Sequence, residues 1–130
     1  MSLKQGDWKM NESGVEQTLT IAVGGIGQVT GAITPPGAAS IPLAGLWDET
    51  SRTLTFALLF AGPQGAPQPL PQRSYKGFLF STPRNPEPGQ DVIWTLTGFI
   101  QTNDPETAVE FGGNARRNVF GWFAQVTEVG

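Results

Sequence analysis

The chain of 130 residues is rich in turn-forming residues and poor in charge, with 17 Gly, 11 Pro, 15% charged residues and a formal net charge of -3. It contains neither Cys nor His, which excludes a disulfide framework, a zinc site built on Cys or His, and Ser-His or Cys-His catalysis. The 8 basic residues are scattered, whereas nucleic acid requires a basic stripe. We therefore expect no metal, no cofactor and no nucleic-acid partner.

The length predicts one domain over residues 1–130. No apolar run approaches the roughly 20 residues of a membrane helix, so we expect no membrane partner. No signal peptide is visible in the sequence. A chain without Cys is compatible with either redox compartment, so both a cytoplasmic and a secreted location remain open.

Short runs that alternate between apolar and polar residues recur about every ten to fifteen residues, a pattern typical of β-strands. We predict eight strands and no helix. In chain order the predicted strands cover residues 5–10, 17–23, 28–34, 40–47, 52–60, 73–81, 91–101 and 115–129.

The connections between these runs carry turn chemistry. A polar turn is predicted at 11–14, a glycine hairpin at 24–27, and Pro-rich loops at 61–72 and 82–90. Sequential strands with short links predict an antiparallel meander, and closing it removes two exposed edges. We therefore predict an all-β fold, an eight-stranded antiparallel up-and-down β-barrel. An eight-stranded jelly roll is the second choice, because it would need long crossing connections.

The last predicted strand is apolar on both faces. One series contains Asn118, Phe120 and Trp122, and the other contains Val119 and Phe123. A strand of this kind is covered on both sides. If the first series faces the barrel interior, the second needs cover from another molecule, so we expect a homo-oligomer, a dimer or tetramer.

The carboxylates fall mostly in turns or at strand ends, where we expect them to be solvated. A general acid needs burial or a close like charge, so we predict no catalytic residues. The aromatic side chains, spread over several strands, predict a pocket for a small apolar or ring-containing ligand at one end of the barrel.

Seven short motifs occur in chain order: Gly6-Asp7-Trp8 followed by Asn11, Thr30-Gly31, Leu43-Ala44-Gly45, Leu54-Thr55-Phe56, Tyr75-Lys76-Gly77, Trp94-Thr95-Leu96-Thr97 and Asn118-Val119-Phe120. Together they resemble the avidin and streptavidin family. The resemblance implies an eight-stranded barrel, an oligomer, and biotin held at one end of the barrel.

The resemblance also implies site residues. Aromatic residues stand where the family has tryptophans against biotin, and two Asn residues stand where the family's Asn and Asp contact the ureido group. Ser13 joins them as a polar candidate from the first turn. The predicted ligand-binding residues are Asn11, Ser13, Phe60, Tyr75, Trp94 and Asn118.

Several family hydroxyls are replaced here by residues that cannot make the same hydrogen bonds: Gly14 or Val15, Ile33, Pro35, Pro71 and Arg73. Each unpaired acceptor costs about 1–3 kcal/mol, so biotin affinity should fall by many powers of ten. We expect a barrel of avidin type that binds a different small molecule. The alternatives are a filled scaffold protein, a lipocalin-like carrier of apolar ligands, and an isomerase or cyclase that uses the barrel cavity.

Overall fold

A computed structural model describes residues 3–59, 72–105 and 115–129. Within these ranges every regular element is a β-strand, and none is a helix long and apolar enough to cross a membrane. The strands are β1 (Gly6–Glu12), β2 (Val15–Val23), β3 (Gln28–Thr34), β4 (Ile41–Asp48), β5 (Thr53–Leu58), β6 (Gln72–Thr82), β7 (Val92–Pro105) and β8 (Ala115–Glu128).

Each strand pairs antiparallel with the next, and β8 pairs with β1 to close the barrel. The predicted eight-stranded antiparallel up-and-down barrel is confirmed, and the jelly roll is not. The predicted strand over 52–60 is shorter in the structure and ends at Leu58. Phe60 and residues 61–71 lie outside the described residues, and Gln72, the last residue of the loop predicted over 61–72, belongs to β6.

The first hairpin is tighter than the sequence suggested. Strand β1 continues through Asn11 and Glu12, and Glu12 pairs with Val15. Only Ser13 and Gly14 form the turn, with φ of 51° and 86°. Two successive residues at positive φ match the twist of a two-residue hairpin. The predicted four-residue turn over 11–14 is therefore corrected, because two of its residues belong to the strand.

The interior is filled by side chains that alternate along every strand with outward-facing ones. The largest fully buried side chains include Trp8, Met10, Leu54, Tyr75 and Leu96. In β8, Trp122 and Ala124 are buried, while Val119 and Phe123 are exposed. This confirms the predicted division of β8 at these four positions, whereas Phe120, predicted to face the interior, is 41% exposed.

The two ends of the barrel differ. We call the end with the β1–β2 turn and the starts of β6 and β8 the Glu12 end, and the opposite one the Trp94 end. At the Trp94 end, the segment before β1 packs on the interior: Leu3 is buried, and Lys4 O accepts a hydrogen bond from Trp8 Nε1 at 3.0 Å. Lys4 Nζ also lies 3.7 Å from Glu128 Oε2.

Candidate functional site

Four polar side chains meet inside the barrel at the Glu12 end: Glu12, Gln17, Arg73 and Tyr75. We call them the Glu12 cluster. Their positions follow from strand alternation, because Glu12 shares a face with Trp8 and Met10 in β1. Glu12 is only 8% exposed and Tyr75 only 2%. A carboxylate this deeply buried requires partners.

Glu12 receives those partners from two other strands. Its Oε2 accepts hydrogen bonds from Tyr75 Oη at 3.0 Å and from Gln17 Nε2 at 2.6 Å. Its Oε1 accepts from Arg73 Nη2 in an ion pair. Because β1 and β6 are not neighbours in the sheet, this ion pair spans the barrel interior.

Aromatic rings lie next to the cluster. The rings of Phe56 and Tyr75 stack with centroids 4.5 Å apart and planes 8° from parallel. Trp122 meets both edge-on, with centroids 5.9 Å away. The Arg73 guanidinium carbon lies 5.9 Å from the Tyr75 centroid, within reach of a cation–π contact. The site thus joins an ion pair to an aromatic surface.

Arg73 retains hydrogen-bonding capacity. Its Nε is buried and has no hydrogen-bond partner among the residues that the structure describes. The guanidinium is always charged and its donors lie in a fixed plane, so it presents a rigid N–H for an acceptor. Leaving such a donor unpaired costs free energy. The unpaired Nε therefore indicates that a hydrogen-bond acceptor comes from outside the described residues.

Burial raises the pKa of the Tyr75 phenol, and the positive charge of Arg73 lowers it by a smaller amount. Tyr75 is the single Tyr of the chain, so absorbance of phenolate near 295 nm reports on this residue alone. We expect its titration midpoint in the folded protein to lie above the ordinary value of about 10. The denatured protein, as the control, should titrate near that ordinary value.

The sign of the linked stability follows. A folded-state pKa above the unfolded value means that stability is fully present below about pH 10 and falls as pH rises through the folded pKa. A folded-state midpoint at or below that of the denatured protein would contradict the burial of Tyr75 in the cluster.

Of the predicted ligand-binding residues, Tyr75 lies in the cluster. Asn11 is in β1 but on the outer face, and its Oδ1 accepts a hydrogen bond from Gly14 N at 3.0 Å. Ser13 is exposed in the turn. The structure therefore uses Asn11 to hold the hairpin and does not bring Asn11 or Ser13 to the interior.

Trp94 lies at the opposite end from Tyr75. Tyr75 pairs with Ile100 in β7, six residues beyond Trp94, which is roughly 20 Å along a strand at about 3.3 Å per residue. Trp94 Nε1 donates to Glu128 Oε2 at 2.9 Å. Trp94 therefore belongs to the Trp94 end and is not in one site with Tyr75.

Two predicted residues are described partly or not at all. Phe60 lies outside the described residues. The backbone of Asn118 pairs with Thr102, which in turn pairs with Arg73, so Asn118 stands at the Glu12 end. The side chain of Asn118 is outside the described part.

Sequence reasoning missed three members of the cluster: Glu12, Gln17 and Arg73. The expectation that the turn carboxylates are solvated is corrected for Glu12, because the tight hairpin keeps it in the strand. A signal was present: Glu12 follows Trp8 and Met10 at spacings of two, and Arg73 stands two residues before Tyr75. The prediction left these residues out because charged side chains rarely lie on the apolar inner face of a strand.

The chemistry available here is binding by hydrogen bonds, charge and aromatic contact. Within the described ranges no three His, Cys, Asp or Glu residues come together in a way that could hold a metal ion. Glu12 is engaged by three donors, which stabilise its ionised form. Its polar partners and the adjoining rings suit recognition of a small molecule.

The fold and this site define an avidin-like, eight-stranded barrel with a polar cluster at one end. The structure is similar to that of the rhizavidin-biotin complex, with a TM-score of 0.57, 12% sequence identity and 100% coverage of both chains. At this identity the likeness concerns the fold. No protein-family model matches the sequence, and no curated protein matches it either.

Proposed function

We propose that this protein is a non-catalytic binding barrel of avidin type that takes a small ring-containing molecule at the Glu12 end. The observation that carries the proposal is the ion pair between the buried Glu12 and the partly exposed Arg73, whose Nε is itself buried and unpartnered among the described residues, beside stacked aromatic rings. Buried ion pairs add little stability compared with apolar packing. Charged side chains placed on the apolar inner face of a barrel break the usual hydrophobic pattern, and such breaks occur mainly at functional sites.

The ligand differs from biotin in this proposal. The neighbour of similar fold is a biotin complex, but Asn11 is engaged in the outer turn and Ile33 is buried in the core. Arg73, where a hydroxyl is expected for biotin, forms the ion pair with Glu12. These positions lack the hydrogen bonds for a ureido group, which supports a different specificity.

Tryptophan emission offers a test of binding, because the chain has 4 Trp residues and one of them, Trp122, pairs with Glu12 across β1 and β8. We expect one or more of caprolactam, cyclohexanol and cyclohexanecarboxylate to change the emission saturably. We expect biotin to give no tight, stoichiometric heat in calorimetry.

The control variants separate the two ends. Trp47 lies beside the 24–27 hairpin at the Trp94 end, where its backbone N donates to Gly27 O at 2.8 Å. Trp47→Phe/Trp94→Phe should therefore keep the response, whereas Trp122→Phe should lose it. Absence of any saturable response would contradict the binding of a small ring compound. Tight stoichiometric biotin binding would contradict a ligand that differs from biotin.

We also propose that the protein is a homo-oligomer that uses the outer face of β6–β8. Six large apolar side chains on this face are between 40% and 59% exposed: Phe78, Phe80, Ile93, Phe99, Val119 and Phe123. They lie on three adjacent strands, and apolar patches of this kind mark interaction sites. A second copy of the chain is the simplest partner, because an isologous contact pairs this face with itself.

Replacing Phe123 with Lys should dissociate this oligomer, because it introduces like charges that face each other across a symmetric apolar contact. Size-exclusion chromatography with light scattering should show a dimer or tetramer for the wild type and a monomer for Phe123→Lys. Ala22→Lys on the exposed outer face of β2 is the matched control and should leave the mass unchanged. A monomeric wild type would contradict the proposal.

A filled scaffold is the second candidate function. The tight contacts among Phe56, Tyr75 and Trp122 support it, since they occupy the interior below the cluster. An oligomer that binds none of the ring compounds would favour this alternative.

A further inference from the structure

A short segment outside the sheet covers the interior at the Trp94 end of the barrel. We call residues 3–5 the strap. They precede β1 and pair with no strand in the described part of the chain. Leu3 is 5% exposed and belongs to the same buried core as Trp8, which is 1% exposed. The strap therefore joins the core through a side chain and not through the sheet.

Three polar contacts hold the strap in place. Trp8 Nε1 donates to Lys4 O at 3.0 Å, and Val23 N donates to Gln5 Oε1 at 2.9 Å. Lys4 Nζ lies 3.7 Å from Glu128 Oε2, and both side chains are partly exposed, so this ion pair contributes little stability. Breaking these contacts leaves every strand pair of the barrel intact.

Gly6 is the joint between the strap and β1. Its φ is 109°, a conformation that glycine adopts readily and L side chains rarely do. Gly6 also pairs with Ile21 as the first residue of β1, so the chain turns where the sheet begins. A Cβ built at Gly6 has nothing within 4 Å. Backbone conformation, and not lack of space, is therefore what favours glycine at this joint.

We infer that the strap opens about Gly6 as a unit while the barrel stays folded, and that it gates the interior at the Trp94 end. Segments with few buried contacts and exposed hydrogen bonds open at a lower free energy than the whole domain. Opening leaves the Trp8 indole N–H and the Lys4 carbonyl at the barrel end, where water can replace their hydrogen bond.

The open strap would connect the interior to a groove on the surface. This groove of about 670 Å³ lies between the strap and the 24–27 hairpin, and its apolar lining includes Leu3, Val23, Ile26 and Trp47. Withdrawal of Leu3 would remove the side chain that separates the groove from the core. The strap lies at the opposite end of the barrel from the Glu12 cluster and works independently of any ligand bound there.

Hydrogen exchange of two buried indoles tests the gate, because only one of them is bonded to the strap. Trp8 Nε1 donates to the strap, whereas Trp122 Nε1 donates to Lys76 O and Phe99 O. Exchange into D2O is followed by NMR on the protein as purified, at several urea concentrations below the unfolding transition. The indole signals are assigned with variants that each replace one Trp by Phe.

We expect Trp8 to exchange at least about a hundredfold faster than Trp122, because local opening occurs far more often than global unfolding. The Trp8 rate should hardly change with urea, since opening the strap exposes little surface, whereas the Trp122 rate should rise with the slope of global unfolding. Equal rates with equal urea slopes would overturn the gate, because Trp8 would then be released only when the barrel unfolds.

A substitution in the barrel wall separates the two kinds of opening. Ile100→Val, at a fully buried position of β7, destabilises the closed and the open barrel equally relative to the unfolded chain. It should raise the Trp122 rate by about fivefold and leave the Trp8 rate unchanged. A rise of the same size at Trp8 would overturn the inference.

Two substitutions at the strap should act on Trp8 directly. Leu3→Ala removes most of its buried apolar surface and should speed Trp8 exchange by about tenfold or more. Gly6→Ala disfavours the closed backbone and should speed it by about tenfold. Gly25→Ala, where an added Cβ has nothing within 4 Å and no positive φ is required, is the matched control and should leave the rate unchanged. An unchanged Trp8 rate in both folded strap variants would contradict opening at Gly6, and the wild-type comparison decides if they do not fold.

Discussion

Replacing Arg73 with Met is expected to lower the free energy of unfolding by about 3 kcal/mol, because it leaves the Glu12 carboxylate buried without its cation. Glu12 is 8% exposed and retains only the hydrogen bonds from Tyr75 and Gln17 in this variant. Neutral donors compensate a buried negative charge less well than a guanidinium does. Urea unfolding at neutral pH, followed by tryptophan emission, measures the loss.

A double-mutant cycle separates the broken pair from lost packing. Glu12→Met/Arg73→Met removes both charges and keeps apolar volume, so it should be more stable than Arg73→Met alone. Replacing a buried pair by apolar residues is often neutral or stabilising. Arg84→Met, in an exposed loop, is the matched control and should change stability by less than about 0.5 kcal/mol. If the loss of stability in Glu12→Met/Arg73→Met equals the sum of the losses in Glu12→Met and Arg73→Met, the two side chains do not form a coupled pair.

The recovery expected in the double variant bears on function as well as stability. If an apolar pair at these positions folds as well as the ion pair, the fold does not depend on the charges. The polar cluster then needs a reason other than stability, and recognition of a ligand provides one. The variant Glu12→Met/Arg73→Met should accordingly fold but lose the saturable change of tryptophan emission with the ring compounds.

Much of the fold could be predicted from the sequence because strand alternation and turn chemistry are local. The glycine hairpin at 24–27 and the alternation of buried and exposed residues over 122–124 in β8 follow from residue patterns alone, and the structure confirms both. Eight such strands with short links have few ways to avoid exposed edges. Closure therefore followed from the number of strands and the lengths of the connections.

The site was predicted less well because its position depends on the parity of single residues. A one-residue shift in the pairing register of a strand turns every side chain of that strand to the other face. Asn11 was expected to contact ligand, but it stands three residues after Trp8, at an odd spacing, and faces outward. Glu12 stands four residues after Trp8, at an even spacing, and faces inward.

Contacts between residues far apart in the chain could not be predicted from the sequence. Glu12 and Arg73 are 61 residues apart in the chain, and only barrel closure places β1 opposite β6. Trp94 shows the converse: the resemblance grouped it with Tyr75, but the offset of β7 against β6 separates them along the barrel. Register decides such questions, and a single sequence specifies register weakly when the loops are long.

Gly98, like Gly31 and Gly45, is a position where adding a single methyl group would overlap the backbone of a neighbouring strand. It pairs with Gly77 in β6 and with Trp122 in β8. A Cβ added at Gly98 would lie far inside the contact distance of Lys76 O and 2.9 Å from the Cα of Gly77. Both obstacles are backbone atoms, so β6 and β7 would have to move apart.

The Lys76 carbonyl, which an added Cβ would displace, also accepts a hydrogen bond from Trp122. Trp122 Nε1 donates to Lys76 O and to Phe99 O, each at 3.2 Å, so moving β6 disturbs the ring that adjoins the Glu12 cluster. We expect Gly98→Ala to lower the free energy of unfolding by more than about 3 kcal/mol, at the upper end of overpacking effects. That is a large share of the roughly 5–15 kcal/mol that stabilises a domain.

Gly121→Ala is the matched control, since the nearest atom to its added Cβ is Gly98 O at 3.9 Å. It makes the same chemical change in the neighbouring strand and should be tolerated. Gly77→Ala should fall between them, because its Cβ would lie 2.6 Å from Cζ2 of Trp122, and the indole is flanked by Phe56 and Tyr75. Urea unfolding gives the free energies, and near-ultraviolet circular dichroism reports the order of the aromatic rings. Equal stability of Gly98→Ala and Gly121→Ala would mean that β6 and β7 do not approach each other as closely at Gly98 as the structure has them.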